Sequence, residues 1–155
     1  MKYIQEELKS AEDCLFCVAI TSSSDKEHLV LHRGRTCVIM LNLYPYNPGH
    51  LMVAPNRHLS MMSELTPEER AETMELAVLC EKVLGGIYHP QGLNVGLNLG
   101  HCAGAGVPGH LHLHIVPRWQ GDTNFMPVLG ETRVLPEELS TTYERLHEAL
   151  KSAKG

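Results

Sequence analysis

The sequence predicts an α+β fold, in which helices pack on an antiparallel β-sheet. Short apolar runs occur in consecutive pairs with short connections, an arrangement that favours antiparallel pairing. Two longer segments have the 3.6-residue apolar periodicity and the terminal residues of helices. The chain has 155 residues, of which 43% are apolar and 20% are charged, as is typical of one globular domain. We predict a single domain over residues 1–155, with a frayed polar tail at about 151–155.

Five short apolar runs predict the strands. They cover residues 29–31, 36–41, 51–54, 93–99 and 111–116. The first two flank a turn at Arg33 and Gly34. The segment 44–49 contains two prolines and is predicted to be a shaped loop, because proline lacks the amide hydrogen that regular structure uses. The segment 100–110 contains four glycines and one proline, which predicts a glycine-rich connection between the last two strands.

The clearest helix is predicted to begin after Thr66. Thr66 is a suitable N-cap, Pro67 suits the first helical position and Glu69 completes a capping box. The apolar residues that follow at helical spacing are assigned to the core and to no chemistry; they are Leu76, Leu79, Cys80, Val83, Leu84 and Ile87. A second helix is predicted to begin near Pro136. Its inner stripe consists of Leu139, Tyr143, Leu146 and Leu150.

The composition limits the classes of partner. A formal net charge of −5 argues against a partner held by long-range attraction, such as nucleic acid or an anionic membrane. A local pocket can still bind a small anion. No apolar run approaches the roughly 20 residues that cross a bilayer, and the charged first residues lack the apolar stretch of a secretion signal. We therefore expect a cytoplasmic protein that binds neither nucleic acid nor membrane.

Three of the ten histidines alternate within the run that predicts the last strand. Side chains of a strand alternate between its two faces, so His110, His112 and His114 are expected on one face, with Leu111 and Leu113 on the other. At ~3.3 Å per residue, the outer two histidines lie about 13 Å apart. One metal ion, which binds imidazole nitrogen at roughly 2 Å, cannot hold both. An extended anion such as a chain of phosphates suits this row better.

A solvated sheet face would explain a single histidine. Three in register beside a glycine-rich loop favour chemistry instead, because imidazole has a pKa near ~6.5 and can attack as the neutral ring or stabilise phosphate as the cation. The small residues of the loop let backbone N–H groups approach phosphate oxygens. Asn98 precedes this loop and could donate its amide to the same phosphate.

The run from Gly109 to Pro117 resembles the signature of the histidine-triad (HIT) family, in which three histidines alternate with apolar residues. The stretch 117–125 is similar to the diadenosine tetraphosphate (Ap4A) phosphorylase branch of that family, and the segments 42–51 and 94–100 match in order and spacing. The resemblance extends from about Cys14 to Leu129. It implies a HIT-like fold, a nucleotide or dinucleoside polyphosphate as substrate, and a homodimer formed through extended sheets.

The resemblance also implies roles for the triad and its neighbours. His112 would be the nucleophile, which attacks the α-phosphate and forms a nucleotidyl-histidine intermediate. His114 and Asn98 would contact the phosphate, and His50 would support the triad. Asn42 stands where many members have a ribose-binding aspartate, and its amide can still hydrogen-bond a ribose hydroxyl.

The glycine loop would hold the phosphate through the amides of Gly104, Ala105 and Gly106, again by resemblance. Where the family often has a glutamine or serine, this chain has Ala105 and Gly106. The substitution removes a side-chain donor near the leaving group and leaves only backbone donors there.

Cys14 and Cys17 have the C-x₂-C spacing with which two thiolates bind one tetrahedral metal ion. His58 and His110, brought together by folding, could supply the other two ligands, as in some HIT relatives. Such a zinc ion would be structural, because four protein ligands leave no position for water. The alternatives are two buried structural cysteines and a thioredoxin-like redox pair, which requires a helix start in a βαβ unit that this region does not indicate.

The leading hypothesis is an enzyme that cleaves dinucleoside polyphosphates such as Ap4A, with inorganic phosphate as acceptor and without an organic cofactor. Trp119 could stack on adenine, pack in the core or form a dimer contact. Arg118 could hold a distal phosphate or pair with Asp122. The alternatives are a HIT hydrolase of adenosine 5′-phosphoramidates or dinucleoside polyphosphates, with water as acceptor, a zinc-dependent hydrolase, and a non-catalytic nucleotide-binding module.

Overall fold

The computed structural model describes residues 11–122 and 137–153. This part of the chain has the predicted α+β architecture. The helices are α1 (Leu15–Thr21), α2 (Pro67–Tyr88) and α3 (Leu139–Ser152). The strands are β1 (Val30–Arg33), β2 (Cys37–Leu41), β3 (Leu51–Pro55), β4 (Gly92–Leu97) and β5 (Leu113–Arg118). Single 3₁₀ turns lie at Ala11–Asp13, Met62–Glu64 and His101–Ala103.

The five strands form one antiparallel sheet in the order β1-β2-β3-β5-β4. All five correspond to predicted strands. Strand β5 begins at Leu113, two residues later than predicted, so His110 and His112 precede the strand and His114 lies within it. His114 is placed between Met52 of β3 and Gly96 of β4. The end of the histidine row therefore lies in the interior of the sheet.

The helices cover the two faces of the sheet. Helices α2 and α3 pack on one face, where Leu84 and Leu146 join a core with Ile39 and Ile115. Helix α1 packs on the other face, where Phe16 belongs to a second core cluster. Strands β2 and β3 are buried on both faces as a result. Because burial of a large apolar side chain is worth roughly 1.5–3 kcal/mol, these strands are a firm base for the site built on them.

Helix α2 begins as predicted. The Thr66 hydroxyl accepts from the Glu69 amide, and the Glu69 carboxylate accepts from the Thr66 amide. Gly85 and Gly86, which blur the predicted end, do not stop the helix. A Cβ added at either would meet no neighbouring element, so each costs only the ~1 kcal/mol of glycine in a helix.

Helix α3 begins at Leu139, and the predicted start at Pro136 lies outside the described residues. The inner stripe is confirmed, since Tyr143, Leu146 and Leu150 are buried. The helix continues to Ser152, two residues into the tail predicted to fray, and residues 154–155 lie outside the description. Among the described helices, none is both long enough and apolar enough to cross a bilayer.

The proline-containing loop before β3 ends in a turn. Pro48 and Gly49 occupy the centre of this turn, and the His50 amide donates to the Asn47 carbonyl (3.2 Å). Gly49 has a φ of 78°, which a type II turn requires at that position. A Cβ there would also lie 3.0 Å from Leu84. Glycine is therefore needed for the chain to enter β3 with His50 facing the triad.

Candidate active site

The three histidines of the row belong to two separate groups of side chains in the structure. The rings of His112 and His114 are neighbours, with centroids 4.8 Å apart and planes at 74°. The ring of His110 lies instead in a cluster with Cys14 and Cys17. The row therefore divides into a pair that borders a cavity and a single ring that belongs to the cysteine–histidine cluster.

The backbone determines which nitrogen of His112 carries its hydrogen. Nδ1 lies 2.7 Å from the carbonyl oxygen of His110. A carbonyl only accepts hydrogen bonds, so Nδ1 is the donor and Nε2 of the neutral ring holds a lone pair. Burial lowers the pKa of His112 below its ordinary 6.5, so the ring is neutral at pH 7. Only 6% of this residue is exposed, and the Nε2 lone pair is of the kind that can act as a nucleophile.

His114 has the opposite tautomer because of a second backbone contact. The Tyr46 amide donates to Nδ1 of His50 (3.1 Å), so the hydrogen of His50 is on Nε2. That Nε2 donates to Nδ1 of His114 (2.9 Å), which places the hydrogen of His114 on its own Nε2. Burial, followed by the influence of His112, lowers the pKa of His114 to about 4. His114 is therefore a neutral hydrogen-bond donor beside His112.

Asn42 lies beside the ring of His50. Its Nδ2 is 3.4 Å from both ring nitrogens, and its Oδ1 accepts from the Tyr44 amide (2.9 Å). Asn42 also borders the cavity described next. Asn42 and His50 thus lie beside the triad, and the contact of Asn42 with a ribose hydroxyl stays a prediction.

A cavity of about 550 Å³ opens in front of His112 and His114, within the range of about 300–1,000 Å³ that is usual for small-molecule sites. The lining includes apolar side chains, namely Leu15, Phe16, Val18, Leu29, Leu41 and Leu43. The two histidines line the same cavity as Gly104, Gly106 and Val107 of the glycine loop. The cavity therefore offers both apolar surface for a ring and polar, reactive groups.

The glycine loop is ordered by its own hydrogen bonds. The Gly104 amide donates to the His101 carbonyl (3.0 Å), and Asn98 Nδ2 donates to the Gly104 carbonyl (3.4 Å). Gly104 has a φ of 86°, a conformation that favours glycine. The Gly104 amide is thus used within the loop, whereas the amides of Ala105 and Gly106 have no partner among the described residues. Of the three predicted backbone donors, these two are not used by the described residues, and Gly106 lines the cavity.

Arg118 pairs with Asp122, one of its two predicted roles. Both distances of this bidentate pair are 2.6 Å, and the Arg118 guanidinium holds the pKa of Asp122 well below its usual range. Asn47 Nδ2 also donates to Asp122 (2.8 Å) and to the Pro117 carbonyl (2.8 Å). Trp119 is partly buried and does not border the described cavity. Its stacking on adenine stays a prediction.

The four predicted metal ligands lie together. The potential ligand atoms of Cys14, Cys17, His58 and His110 are all within 4.8 Å of one another. Nδ1 of His110 is 3.4 Å and 3.5 Å from the two sulfur atoms, and Nδ1 of His58 is 3.3 Å from Cys17 Sγ. Zinc bonds of the usual lengths would place sulfur and nitrogen about 3.6 Å apart at tetrahedral angles. The donor set and its spacing therefore fit a zinc ion.

His110 is already oriented as a ligand. Its Nε2 donates to the Pro55 carbonyl (2.8 Å), which leaves the lone pair of Nδ1 facing the two sulfurs. Burial lowers the pKa of His110 to about 4, so this nitrogen is unprotonated at neutral pH. The cysteine pair does lie at the start of α1, contrary to expectation. All strand pairings are antiparallel in the described chain, however, so the βαβ setting of the redox alternative is absent there.

Sequence reasoning missed three residues of the site. Phe16 lies inside the cysteine motif and stacks on His112, and Tyr46 lies inside the proline-containing loop and stacks on His114. The sequence signal that could have indicated Phe16 and Tyr46 is that each lies within a motif of the site. Leu29 borders the cavity with a φ of 59°, and nothing in the sequence indicates a left-handed leucine. Non-glycine residues in this conformation are often functional.

Comparisons with known proteins all indicate the same family. A family model described as HIT domain matches residues 23–121, well over half of the chain. An AP-4-A phosphorylase of Mycobacterium tuberculosis is 48% identical over 123 residues, which cover 79% of this chain and 63% of that protein. The chain thus spans less than two thirds of this relative's length.

Matches at lower sequence identity are consistent with these two. A bis(5'-nucleosyl)-tetraphosphatase (asymmetrical) of Schizosaccharomyces pombe is 32% identical over 93 residues, which cover 60% of this chain and 50% of that protein. The crystal structure of a Zn-bound histidine triad family protein from Mycobacterium smegmatis has a TM-score of 0.73 at 21% identity, covering 94% of this chain and 98% of that one. This last similarity supports the fold.

Proposed function

Because this chain belongs to the HIT family, we propose that it is an enzyme that cleaves dinucleoside polyphosphates such as Ap4A, with inorganic phosphate as the acceptor. The observation that carries the proposal is the opposite tautomers of His112 and His114 at the wall of one cavity. One ring offers a lone pair and its neighbour offers a hydrogen. A phosphoryl group between them would meet a nucleophile and a donor at once.

In the first step, His112 Nε2 attacks the α-phosphorus. A P–N bond forms, the bond from phosphorus to the bridging oxygen breaks, and its electron pair leaves with the polyphosphate, which is ATP when the substrate is Ap4A. The intermediate is a nucleotidyl-imidazolium whose Nδ1–H remains bound to the His110 carbonyl. His114 Nε2–H and the amides of Ala105 and Gly106 would stabilise the charge on the phosphate oxygens.

In the second step, an oxygen of inorganic phosphate attacks the same phosphorus. The P–N bond breaks, its electron pair returns to His112 Nε2, and the proton of the acceptor passes to solvent. The product from Ap4A is ADP. The AP-4-A phosphorylase of M. tuberculosis, at 48% identity, supports phosphate rather than water as this acceptor.

The acceptor is tested by the products. With Ap4A and inorganic phosphate, we expect ADP and ATP in equal amounts, and with Ap4A alone we expect turnover to fall by a factor of about 100 or more. Separation of the nucleotides by ion-exchange chromatography measures both. Because catalysis depends on the transition state for each acceptor, a strong preference of this kind would appear in kcat/KM.

AMP and ATP produced at the same rate in the presence and absence of phosphate would contradict this choice of acceptor. They would favour the hydrolase alternative, in which water attacks the same intermediate. The similarity to the S. pombe tetraphosphatase is the observation that supports this second candidate.

We further propose that Cys14, Cys17, His58 and His110 hold a structural zinc ion. The spacing of the donor atoms and the lone pair of His110 support this assignment, and so does the description of the M. smegmatis protein as Zn-bound. Four protein ligands would leave no coordination site for water. The ion would hold α1 against the segment that precedes β5. It would take no part in the reaction, in which His112 would be the attacking group.

We also propose that two copies of the chain pair along β4. Within the described sheet, β4 is an edge strand that pairs with β5 alone, and an unpaired edge is a surface for another strand. A groove of about 920 Å³ runs between α2 and β4. Met74, Val78 and Val95 are exposed there, which leaves apolar side chains for a partner to cover.

The pairing is tested by the mass in solution. We expect wild type to be a dimer by multi-angle light scattering, and Val95→Arg to be a monomer because the arginine would be buried without a partner in the interface. Glu148→Arg, an exposed change on α3, is the control and should remain dimeric. A wild-type monomer at micromolar concentration would refute the proposal.

A further inference from the structure

Phe16 joins the two parts of the site. It is 1% exposed and lies in the first turn of α1, between Cys14 and Cys17. Its ring is 4.8 Å from that of His112, at an interplanar angle of 29°. The same ring is 5.0 Å from that of His110, at 32°. A single aromatic side chain thus contacts both the nucleophile and a ligand of the cysteine–histidine cluster.

The orientation of the His112 ring depends on few contacts. Its Nδ1–H donates to the His110 carbonyl, and Phe16 stacks on the ring. The ring of His114 contacts it at an interplanar angle of 74°. Rotation of the His112 ring about its bond to Cβ would break this one hydrogen bond and change the direction of Nε2. Stacking against a buried ring opposes that rotation, since it would require Phe16 to move as well.

We infer that Phe16 is a positioning residue, which holds the His112 imidazole in the orientation that keeps its Nδ1–H on the His110 carbonyl and leaves Nε2 available for attack. The inference rests on the proposed function. Stacking also suits the intermediate, because the nucleotidyl-imidazolium is positive and an aromatic face attracts a cation. The position of Phe16 is in turn fixed by the two cysteines beside it, whose sulfur atoms face His110. The cluster and the nucleophile are thus mechanically connected through one side chain.

Phe16→Leu is the test, because leucine keeps an apolar side chain but has no flat face. We expect kcat with Ap4A to fall by about 10- to 100-fold, the cost of a misplaced reactive group, while KM changes less than about threefold because the cavity stays apolar. Phe16→Tyr keeps the aromatic face and should restore kcat to within about threefold of wild type. Leu146→Val, a buried change in the core on the other face of the sheet, controls for a general loss of stability and should leave kcat unchanged.

The second measurement is independent of activity. The ¹⁵N shifts of the imidazole nitrogens distinguish the two neutral tautomers, and the His112 signals are those that disappear in His112→Asn. We expect wild type, Phe16→Tyr and Leu146→Val to hold the Nδ1–H form, and Phe16→Leu to show a mixture of tautomers.

The outcomes separate the two proposals. A single Nδ1–H tautomer in Phe16→Leu would overturn the inference, whatever happens to kcat, and the proposed function would stand if wild type cleaves Ap4A. A tautomer mixture in Phe16→Leu, found together with a wild type that cleaves no dinucleoside polyphosphate, would support the positioning of His112 and remove the proposed function.

Discussion

His112→Asn is expected to reduce the rate of Ap4A cleavage by a factor of about 10⁴ or more, equivalent to about 5 kcal/mol of transition-state stabilisation. Asparagine is close to histidine in size, and its Nδ2 can still donate to the His110 carbonyl that Nδ1 of His112 now binds. The lone pair of its amide nitrogen is delocalised into the side-chain carbonyl and cannot attack phosphorus. The loss should therefore fall on kcat.

Two measurements distinguish a lost nucleophile from a damaged fold. Nucleotide binding by His112→Asn, followed by calorimetry with a non-cleavable analogue, should stay within about tenfold of wild type. His147→Asn is the matched control, because His147 lies on α3, on the face of the sheet opposite the triad, and contacts the Leu31 carbonyl. Full activity is expected there.

Wild type treated with labelled substrate in the absence of phosphate should carry a label that is stable to alkali and released by acid, as expected of a phosphoramidate. The same label should be missing from His112→Asn. Turnover by this variant at more than about a tenth of the wild-type rate would exclude His112 as the nucleophile.

Loss of the proposed zinc site is expected to have the second largest effect, on stability. Cys14→Ser should abolish stoichiometric zinc binding and lower the free energy of unfolding by about 4 kcal/mol or more, because metal binding contributes directly to folding. Cys14 is fully buried, so a serine hydroxyl there would also lose its contact with water. Elemental analysis and urea unfolding measure the two effects.

A chelator supplies the internal check for this experiment. Excess chelator should lower the urea midpoint of wild type and leave that of Cys14→Ser unchanged. Cys102→Ser, a change at an exposed cysteine outside the cluster, should bind zinc like wild type. Absence of zinc from wild type, together with a midpoint that does not respond to the chelator, would show that the four residues are only packed together.

The local parts of this fold follow from the sequence because short-range physics determines them. The capping box at Thr66 and the strand runs depend on residues that are neighbours in the chain, and both are confirmed. The start of β5 could not be located, because His110 and His112 have the same alternation as the strand that follows. Tertiary contacts end the regular pairing there, since His110 binds the Pro55 carbonyl instead.

The candidate site was predictable as a set of residues and not as an arrangement. Alternation indicated His112 and His114 as neighbours, yet no pattern in the sequence specifies which nitrogen of each ring carries the hydrogen. That depends on a carbonyl and an amide placed by folding. Phe16 was missed for a similar reason, because an apolar residue in a cysteine motif ordinarily indicates core packing.

The two peptide groups that set these tautomers also constrain engineering. A designer who grafted only three alternating histidines onto another scaffold would obtain rings free to exchange hydrogens between their nitrogens, so attack and donation would compete at each position. The carbonyl of His110 and the amide of Tyr46 must be transplanted with the side chains. The smallest transferable unit is therefore the three side chains together with the backbone carbonyl and amide that fix their tautomers.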